Sequence, residues 1–418
     1  MNGGPSCRLG NAGIATVLLG QSPPSSEYNV QGRGLPFFQG KADFGLLHPT
    51  PRVWCEVGTQ RAKRGDVLVS VRAPVGDVNV AEDDCVIGRG IAAIRAGHDL
   101  DPWFLFFALQ HVRPVLKSRA TGSTFESVNR ETLLALQLPF PSLDEQRAIA
   151  KQLRLVSRNV SHQNQSFAIM ERVKGAATRE LFTRGLRGER QKETEMGPVP
   201  NSWNVVRLGS LGRIGNGSTP KISVPEYWDG GTFPWLTSAK VYDREITSAA
   251  RYVTQKALTE CHLPRVQPGA VVLAITGQGK TLGHCAVLRI EATISQHLAY
   301  VSIDPKKADP SFVRGYLETQ YSYLRQIASG GGSTKGALTC GFLRELPIPL
   351  PPTVDEQNSV AAICAAIDRK IDLHKRKTVV LKELFKTLLN KFMTGEICVS
   401  DLNPYIINDS EPGTEATA

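Results

Sequence analysis

No two of the eight cysteines, at 7, 55, 85, 261, 285, 340, 364 and 398, share Cys-x-x-Cys spacing. That excludes a zinc ribbon or a dithiol redox motif and suits thiols kept reduced. An uninterrupted apolar run of the ~18 residues that span a bilayer is also missing, and the chain opens on no signal peptide. These absences predict a cytoplasmic protein. The histidines show no ligand spacing, and Asp83-Asp84, being consecutive, read as a solvated turn rather than a metal site. No Gly-x-Gly-x-x-Gly follows a strand. The nearest string to an Asn/Asp-Pro-Pro-aromatic loop is Asn403-Pro404-Tyr405, which lacks the second proline. No credible catalytic site or metal site emerges.

The remaining composition is ordinary. The hydrophobic fraction is 41%, and the length of 418 residues sets a prior of two or three domains. Lys+Arg minus Asp+Glu is 49 − 39, a net charge of +10 that suits a polyanionic partner.

Two stretches organise the chain. Ser142-Leu143-Asp144-Glu145-Gln146 offers an N-cap serine with glutamate three residues on. Some forty proline-free residues follow, with apolar side chains at coiled-coil spacing: Ile149, Leu153, Val156, Val160, Phe167, Met170, Ala177 and Leu181. Gln163 and Lys174 interrupt that stripe. A helix with one narrow apolar stripe needs a partner of similar length, and the chain supplies one. Thr353-Val354-Asp355-Glu356-Gln357 repeats the cap, and Val360, Ile363, Ile367, Ile371, His374, Leu381, Phe385, Leu388 and Phe392 repeat the stripe. Gly188-Glu189 and Gly395-Glu396 mark the two ends.

The sequences between the helices are duplicated too. Arg8-Leu9-Gly10 recurs as Arg207-Leu208-Gly209, Gly20-Gln21-Ser22-Pro23 as Gly217-Ser218-Thr219-Pro220, and the turn-strand at Gly65 as that at Gly269. The helix after Asp101-Pro102, expected over Pro102 to Lys117, recurs after Asp309-Pro310. Gly122-Ser123-Thr124 recurs as Gly332-Ser333-Thr334, and Leu138-Pro139-Phe140-Pro141 as Leu346-Pro347-Ile348-Pro349. Ile87 to Ile94 reads as one strand with an irregularity at Gly88-Arg89-Gly90. The plan is domain, helix, domain, helix. Its expected boundaries are 1–140, 141–190, a polar linker at 191–202, 203–350, 351–395 and a disordered tail at 396–418. The first copy has no counterpart of Trp203 before Arg8, so a clipped or replaced opening strand is expected.

One stretch invites an enzymatic reading. Ala274-Ile275-Thr276-Gly277-Gln278-Gly279-Lys280-Thr281 follows a strand and fits a loose phosphate-loop pattern, which makes a nucleotide hydrolase using Lys280 the alternative. That mechanism needs a helix directly after Lys280-Thr281, and the sequence there is strand-like. A basic, glycine-bearing loop approaching a DNA backbone accounts for the same residues. A protein-only scaffold is the other alternative. The polar and basic loop positions are the candidate DNA contacts: Gln21, Ser22, Ser70, Arg72, Arg89, Ser123 and Thr124 in the first half. In the second half they are Ser218, Thr219, Lys221, Thr276, Gln278, Lys280, Gln296, Thr334 and Lys335, with the rings of Tyr227, Trp228 and Trp235 nearby.

The whole plan resembles the specificity subunit of Type I restriction–modification enzymes. Gly217-Ser218-Thr219-Pro220, Tyr227-Trp228, Pro234-Trp235-Leu236, Gly65 to Ser70, and the paired Leu-Pro-x-Pro and Asp-Glu-Gln motifs carry the resemblance. It implies a mixed α/β (α+β) fold: two target recognition domains separated by two long antiparallel coiled-coil helices, an internal duplication with pseudo-twofold symmetry. Each domain is then expected to read half of a bipartite, asymmetric double-stranded DNA sequence. The helices are expected to set the spacing and to dock two methyltransferase subunits, and two restriction subunits join for cleavage. The resemblance implies a non-catalytic subunit of a restriction endonuclease and adenine-N6 methyltransferase complex. S-adenosylmethionine, ATP and magnesium then belong to the partners, with no cofactor in this chain. The helix seam is expected to consist of Ile149, Leu153, Val156, Val160, Phe167 and Leu181 against Ile363, Ile367, Ile371, Leu381 and Leu388.

Overall fold

The computed structural model describes residues 5–58, 60–120, 126–277, 279–330 and 337–401. The chain divides into two compact units, Met1–Ser166 with His374–Ala418, and Phe167–Leu373. Each unit therefore contains one globular domain and part of each long helix.

In the first unit, Val67–Ser70 lies inside a four-stranded antiparallel sheet, between Ile91–Ala96 and Val78–Val80, with Ala15–Leu19 at one edge. Val67-Leu68-Val69 is an unbroken apolar run because both faces of the sheet are covered. Val67, Val69 and Ile94 face the core shared with the helix Pro102–His111. Leu68, Ile91 and Ala93 face a second core with Phe38 and Ile87. A five-stranded sheet supplies that second layer, in which Leu35–Phe38 runs parallel to Cys85–Ile87. The run from Ile87 to Ile94, expected to be one strand, is instead two strands in different sheets that break at Gly88-Arg89-Gly90. The helix expected to reach Lys117 breaks at Val112, where Pro114 starts a new turn.

Asp101 caps the helix Pro102–His111 by accepting from Trp103 N at 3.0 Å and Phe104 N at 2.9 Å. The Gln146 side chain, fully buried, ties this cap to the first long helix. Its Oε1 accepts from Asp101 N at 2.9 Å, and its Nε2 donates to Asp99 O at 3.1 Å and Pro141 O at 2.9 Å. In the second unit Gln357 Oε1 accepts from Asp309 N at 2.8 Å. The repeated glutamine is thus the joint between each domain and the helix that follows it. The capping box is only half formed. Ser142 and Thr353 accept from the Glu145 and Glu356 N–H groups, but those glutamates turn to Val399 N and Trp203 Nε1.

The long helices are Leu143–Arg184 and Val354–Met393, of 42 and 40 residues. Within the first unit they run antiparallel: Glu145 Oε1 accepts from Val399 N just beyond the second helix, and Gln163 meets His374 further along. Ile149, Leu153 and Val160 are buried as expected. Ile363 is not: it is 41% exposed, and Val360, Cys364, Asp368 and Ile371 carry the seam of the second helix instead. On the first helix Phe182 is the fully packed residue beside the partly buried Leu181.

The second unit repeats the sheet plan. Its five strands follow the order Gly212–Asn216, Leu298–Ile303, Val271–Ala274, Cys285–Leu288 and Glu245–Ile246. The helix Pro310–Thr319 is capped by Asp309, which accepts from Phe312 N at 2.7 Å. Residues 191–202, expected to be a linker, contain a β-hairpin, Gln191–Thr194 against Gly197–Pro200. The opening strand of the first unit is present, with Ser6–Arg8 paired to Gln137–Pro139. Residues 402–418, the greater part of the expected tail, lie outside the described residues. Val399–Asp401 forms a short 3-10 turn.

The interface between domain and helices differs in chemistry between the units. In the second, Lys174 contacts Glu318 at 2.6 Å and Asp368 at 2.9 Å, and Arg314 contacts the same two at 3.1 and 3.5 Å. Arg244 adds Asp368 at 3.5 Å and Asp372 at 2.8 Å. Burial works against the Lys174 charge, but Glu318 and Asp368 outweigh it and raise its pKa. Burial likewise opposes the Glu318 charge, and Arg314 and Lys174 nevertheless hold its pKa below the usual carboxylate range. At the corresponding positions of the first unit stand Phe385 for Lys174, Phe106 for Arg314, Gln110 for Glu318 and Ser157 for Asp368. There the contact is aromatic, with Phe385 5.9 Å from Phe107 and Phe106 5.0 Å from Phe107.

Candidate nucleic-acid interface

One backbone frame is built twice. In the first unit Gly20 N donates to Ile91 O, Gln21 N to Ile87 O, Gly88 N to Phe38 O, Val71 N to Gly90 O, and Val128 N to Val71 O. In the second, Gly217 N donates to Leu298 O, Ser218 N to Ile294 O, Ser295 N to Leu236 O, Ile275 N to His297 O, and Leu338 N to Ile275 O. Three loops converge in each frame, and they approach closely. A Cβ on Gly20 would lie 2.2 Å from Gly88 O, and one on Gly217 would lie 1.8 Å from Ile294 O. Only glycine fits either place.

The frame puts Ser22, Arg72 and Arg89 in the same relative positions as Thr219, Thr276 and Gln296. The side chains then diverge. In the first unit Ser22 Oγ accepts from Arg89 N at 3.2 Å. Ser22, Arg72 and Arg89, with Gln39, Gly40 and Lys41, line a cavity of about 220 Å³. Both guanidinium groups are exposed, and among the described residues neither has a carboxylate partner. Lys41 is held by Asp77 at 2.7 Å, which Arg113 also contacts. Gln21 is exposed beside this cleft.

In the second unit the equivalent side chains form a chain of hydrogen bonds. Thr219 Oγ1 donates to Gln296 Oε1, Gln296 Nε2 lies 3.4 Å from His297 Nε2, and His297 Nδ1 meets Thr276 Oγ1 at 2.5 Å. One orientation satisfies every link: the Gln296 amide donates to Nε2, so the His297 proton sits on Nδ1 and points at Thr276. The Thr276 hydroxyl proton is then left to donate elsewhere. His297 was not among the residues expected from the sequence. The comparison of the two copies gives no signal for it, since the equivalent position holds Gly90.

Lys280 lies on an exposed loop three residues longer than its counterpart in the first unit. The loop is held from behind: Tyr321 donates its hydroxyl to Lys280 O at 2.8 Å, and Arg325 Nη1 donates to Gly279 O at 2.7 Å. His284, packed between Tyr242 and Tyr321 at 5.0 and 4.3 Å, has its pKa lowered chiefly by burial. After Lys280-Thr281 comes a turn and then the strand Cys285–Leu288. No helix N-terminus faces the loop, so the phosphate-loop hydrolase has no support.

Other candidates make contacts within the fold. Ser70 is fully buried and spends both its functions internally, donating to Pro74 O at 2.8 Å and accepting from Asp77 N at 2.9 Å. Trp235 is buried, with Trp228 edge-on at 5.1 Å and Arg251 over Trp228 at 4.2 Å. Tyr227 donates its hydroxyl to Glu260 at 2.9 Å, which pushes its pKa up to about 12. These rings pack a small core. Ser218 is partly buried, and its carbonyl accepts from Trp235 Nε1. Lys221 is exposed and its carbonyl accepts from Trp228 Nε1. Ser123, Thr124, Gln278, Thr334 and Lys335 lie outside the described residues. Among the described residues no group of three or more His, Cys, Asp or Glu is placed to hold a metal ion, and no helix is long and apolar enough to cross a membrane.

Fold and surface together define a duplicated protein with one polar tip per globular domain. The sequence matches the Type I restriction modification DNA specificity domain over residues 56–166 and 200–383, and the chain belongs to that family. It is 37% identical over 180 residues to the putative type I restriction enzyme MjaX specificity subunit of Methanocaldococcus jannaschii, covering 43% of this chain and 42% of that one. It is 33% identical over 205 residues to the MjaIX specificity subunit of the same organism, covering 47% and 45%. The matched stretches span less than half the length of either relative. The type I restriction–modification S subunit of M. genitalium has the same fold, with a TM-score of 0.65 at 16% identity over 94% of this chain and 96% of that one. A chain from a structural study of type I restriction–modification complex assembly aligns with a TM-score of 0.56 at 19% identity, over 95% and 99%.

Proposed function

We propose that this chain is the non-catalytic DNA-reading subunit of a Type I restriction–modification complex, each domain binding one half of a bipartite, asymmetric double-stranded target. The observation that carries this reading is the repeated frame with divergent side chains: arginines at 72 and 89 in one copy, threonine and glutamine at 276 and 296 in the other. Arginine is suited to the guanine O6/N7 edge and glutamine to the adenine N6/N7 edge. The reading therefore assigns guanine contact to the first tip and adenine contact to the second. Lys280, a point charge on a glycine-flanked loop, positions phosphate.

The long helices are assigned spacing and docking. Support comes from four exposed apolar side chains, Ile169 (51%), Val173 (44%), Val380 (65%) and Leu384 (43%). The first two and the last two are 211 positions apart, as Gln146 and Gln357 are, so both copies leave the same helix face bare. A pair of equivalent docking sites fits two methyltransferase subunits. On this reading two restriction subunits join the assembly, and S-adenosylmethionine, ATP and magnesium belong to the partners.

The test is methylation-site mapping with the assembled methyltransferase. Arg89→Ala should relax the bases of one half-site and Gln296→Ala those of the other. If either variant altered both halves, or neither altered any, the assignment would fail.

A further inference from the structure

Ser70 and Ala274 hold the same place in the two copies. Val69 pairs with Val78 as Leu273 pairs with Cys285, so Ser70 corresponds to Ala274 and Asp77 to His284. The backbone agrees, since Ser70 N donates to Asp77 O and Ala274 N to His284 O. In the first unit the serine ties down the loop between them. Its hydroxyl donates to Pro74 O at 2.8 Å and accepts from Asp77 N at 2.9 Å. Alanine has no hydroxyl for this task. The loop it would have to hold is longer and contains Gly277 and Gly279, where an added Cβ would meet nothing within 4 Å. Such a chain loses much conformational freedom when it is ordered.

A different tie comes from the helix Tyr321–Gly330. Leu324 and Ala328, both buried, anchor that helix in the core of the unit. Tyr321 and Arg325, one turn apart, reach the loop together. The Tyr321 hydroxyl donates to Lys280 O at 2.8 Å, and Arg325 Nη1 donates to Gly279 O at 2.7 Å. Those two carbonyls bracket the Lys280 backbone. Tyr321 is itself fixed: the His284 ring lies 4.3 Å from its own, and Arg325 lies over it at 5.5 Å. A Cβ on Gly283 would lie 3.3 Å from Tyr321 Cδ2, as one on Gly76 would lie 3.0 Å from Arg113 Cγ. Arg113 is therefore the counterpart of Tyr321, and it pairs with Asp77 at 3.0 Å.

We infer that Tyr321, with Arg325, is the positioning residue of the second recognition loop and takes the task that Ser70 performs in the first. The inference rests on the reading that Lys280 meets a DNA phosphate. With its backbone held on both sides, Lys280 brings only its own side-chain freedom to that contact. Less ordering then remains for binding to accomplish, and affinity rises without any added charge.

Limited trypsin digestion of the full chain without DNA tests the tie, because trypsin must engage the Lys280 carbonyl to cut before Thr281. Tyr321→Phe keeps the ring and removes the hydroxyl. It should release the fragment beginning at Thr281 about fivefold faster, with cleavage elsewhere unchanged. Arg325→Met should accelerate the same cut. Mixed-sequence duplex DNA is then titrated into the assembled methyltransferase at several salt concentrations. Tyr321→Phe should bind about fivefold more weakly with the wild-type slope of log affinity against log salt, since no charge is removed. Equal cleavage of wild type and Tyr321→Phe overturns the tie. Faster cleavage with undiminished affinity, or with an altered salt slope, overturns the positioning role. A wild-type slope in Lys280→Ala overturns the phosphate reading itself, on which the cleavage rates do not depend.

Discussion

Gln163 Oε1 and His374 Nδ1 lie 2.8 Å apart, and the two residues are each other's counterparts, 211 positions apart in the duplicated helices. Position meets equivalent position, as at an isologous contact. The pair is a polar interruption of the seam within the first unit. A polar pair there contributes little stability against a hydrophobic replacement but penalises every other register. Gln163→Leu with His374→Leu should raise the Tm while weakening alignment of the helices. Cysteines placed at several offsets along the facing helices would report it: cross-linking confined to one offset in the wild type should spread to neighbouring offsets in the variant.

The charged interface of the second unit should make that unit sensitive to pH at both ends. Glu318 has a depressed pKa, so its contribution is present above the unfolded carboxylate pKa and is lost as pH falls through the folded value. Lys174 has a raised pKa, so its contribution is present below the unfolded lysine pKa and is lost as pH rises through the folded value. Lys174→Met leaves Asp368 without its nearest cation and should cost about 3 kcal/mol. A melt of the variant as stable as the wild type at neutral pH would contradict this.

Copying the first unit into the second should remove that sensitivity. The exchange is Lys174→Phe, Arg314→Phe, Glu318→Gln and Asp368→Ser together. Replacing a buried ion network by packed apolar groups is often neutral or stabilising. The fourfold variant should melt no lower than the wild type and with a flatter dependence on pH, as followed by calorimetry between acid and neutral buffers.

Lys280→Ala should weaken binding equally on cognate and non-cognate DNA and reduce the slope of log affinity against log salt by ~0.9. Salt titration of the assembled methyltransferase measures it. A changed sequence preference with an unchanged slope would reverse the assignment and make Lys280 a base contact.

Four residues added to each long helix at equivalent points, after Ser166 and after Lys377, lengthen each by ~6 Å. The target should keep both halves and gain undefined base pairs between them. Methylation mapping that returned the original gap would refute the spacing role.

Much of this was legible in the sequence because duplication repeats whatever the fold requires. Gln146 and Gln357 recur because each is a joint, and Gly20 and Gly217 because no side chain fits. The Ile149, Leu153 and Val160 stripe is readable because helical spacing reports burial directly. Ile363 misled for the opposite reason: it lies one position from Cys364, which faces the seam, and one step of ~100° turns a side chain out. Ser70 and Trp235 looked like surface polar and aromatic residues, and only tertiary pairing shows their hydrogen-bonding groups consumed within the fold. His297 has no equivalent imidazole at Gly90, so the repeat did not announce it. The exchange of Phe385 for Lys174 is silent for the same reason, since comparison of copies finds what is kept and passes over what is replaced.

The joints made by Gln146 and Gln357 are neutral amides sealed from water, bonded to backbone groups. Nothing in them titrates, and dissolved ions have no charge there to screen. The phosphate contact proposed for Lys280 is the reverse, since such a contact weakens steeply as salt rises. Grip and aim are therefore independent quantities in this protein. Concentrated salt should release it from DNA with each domain still squared to its own helix, so that it departs before it misreads.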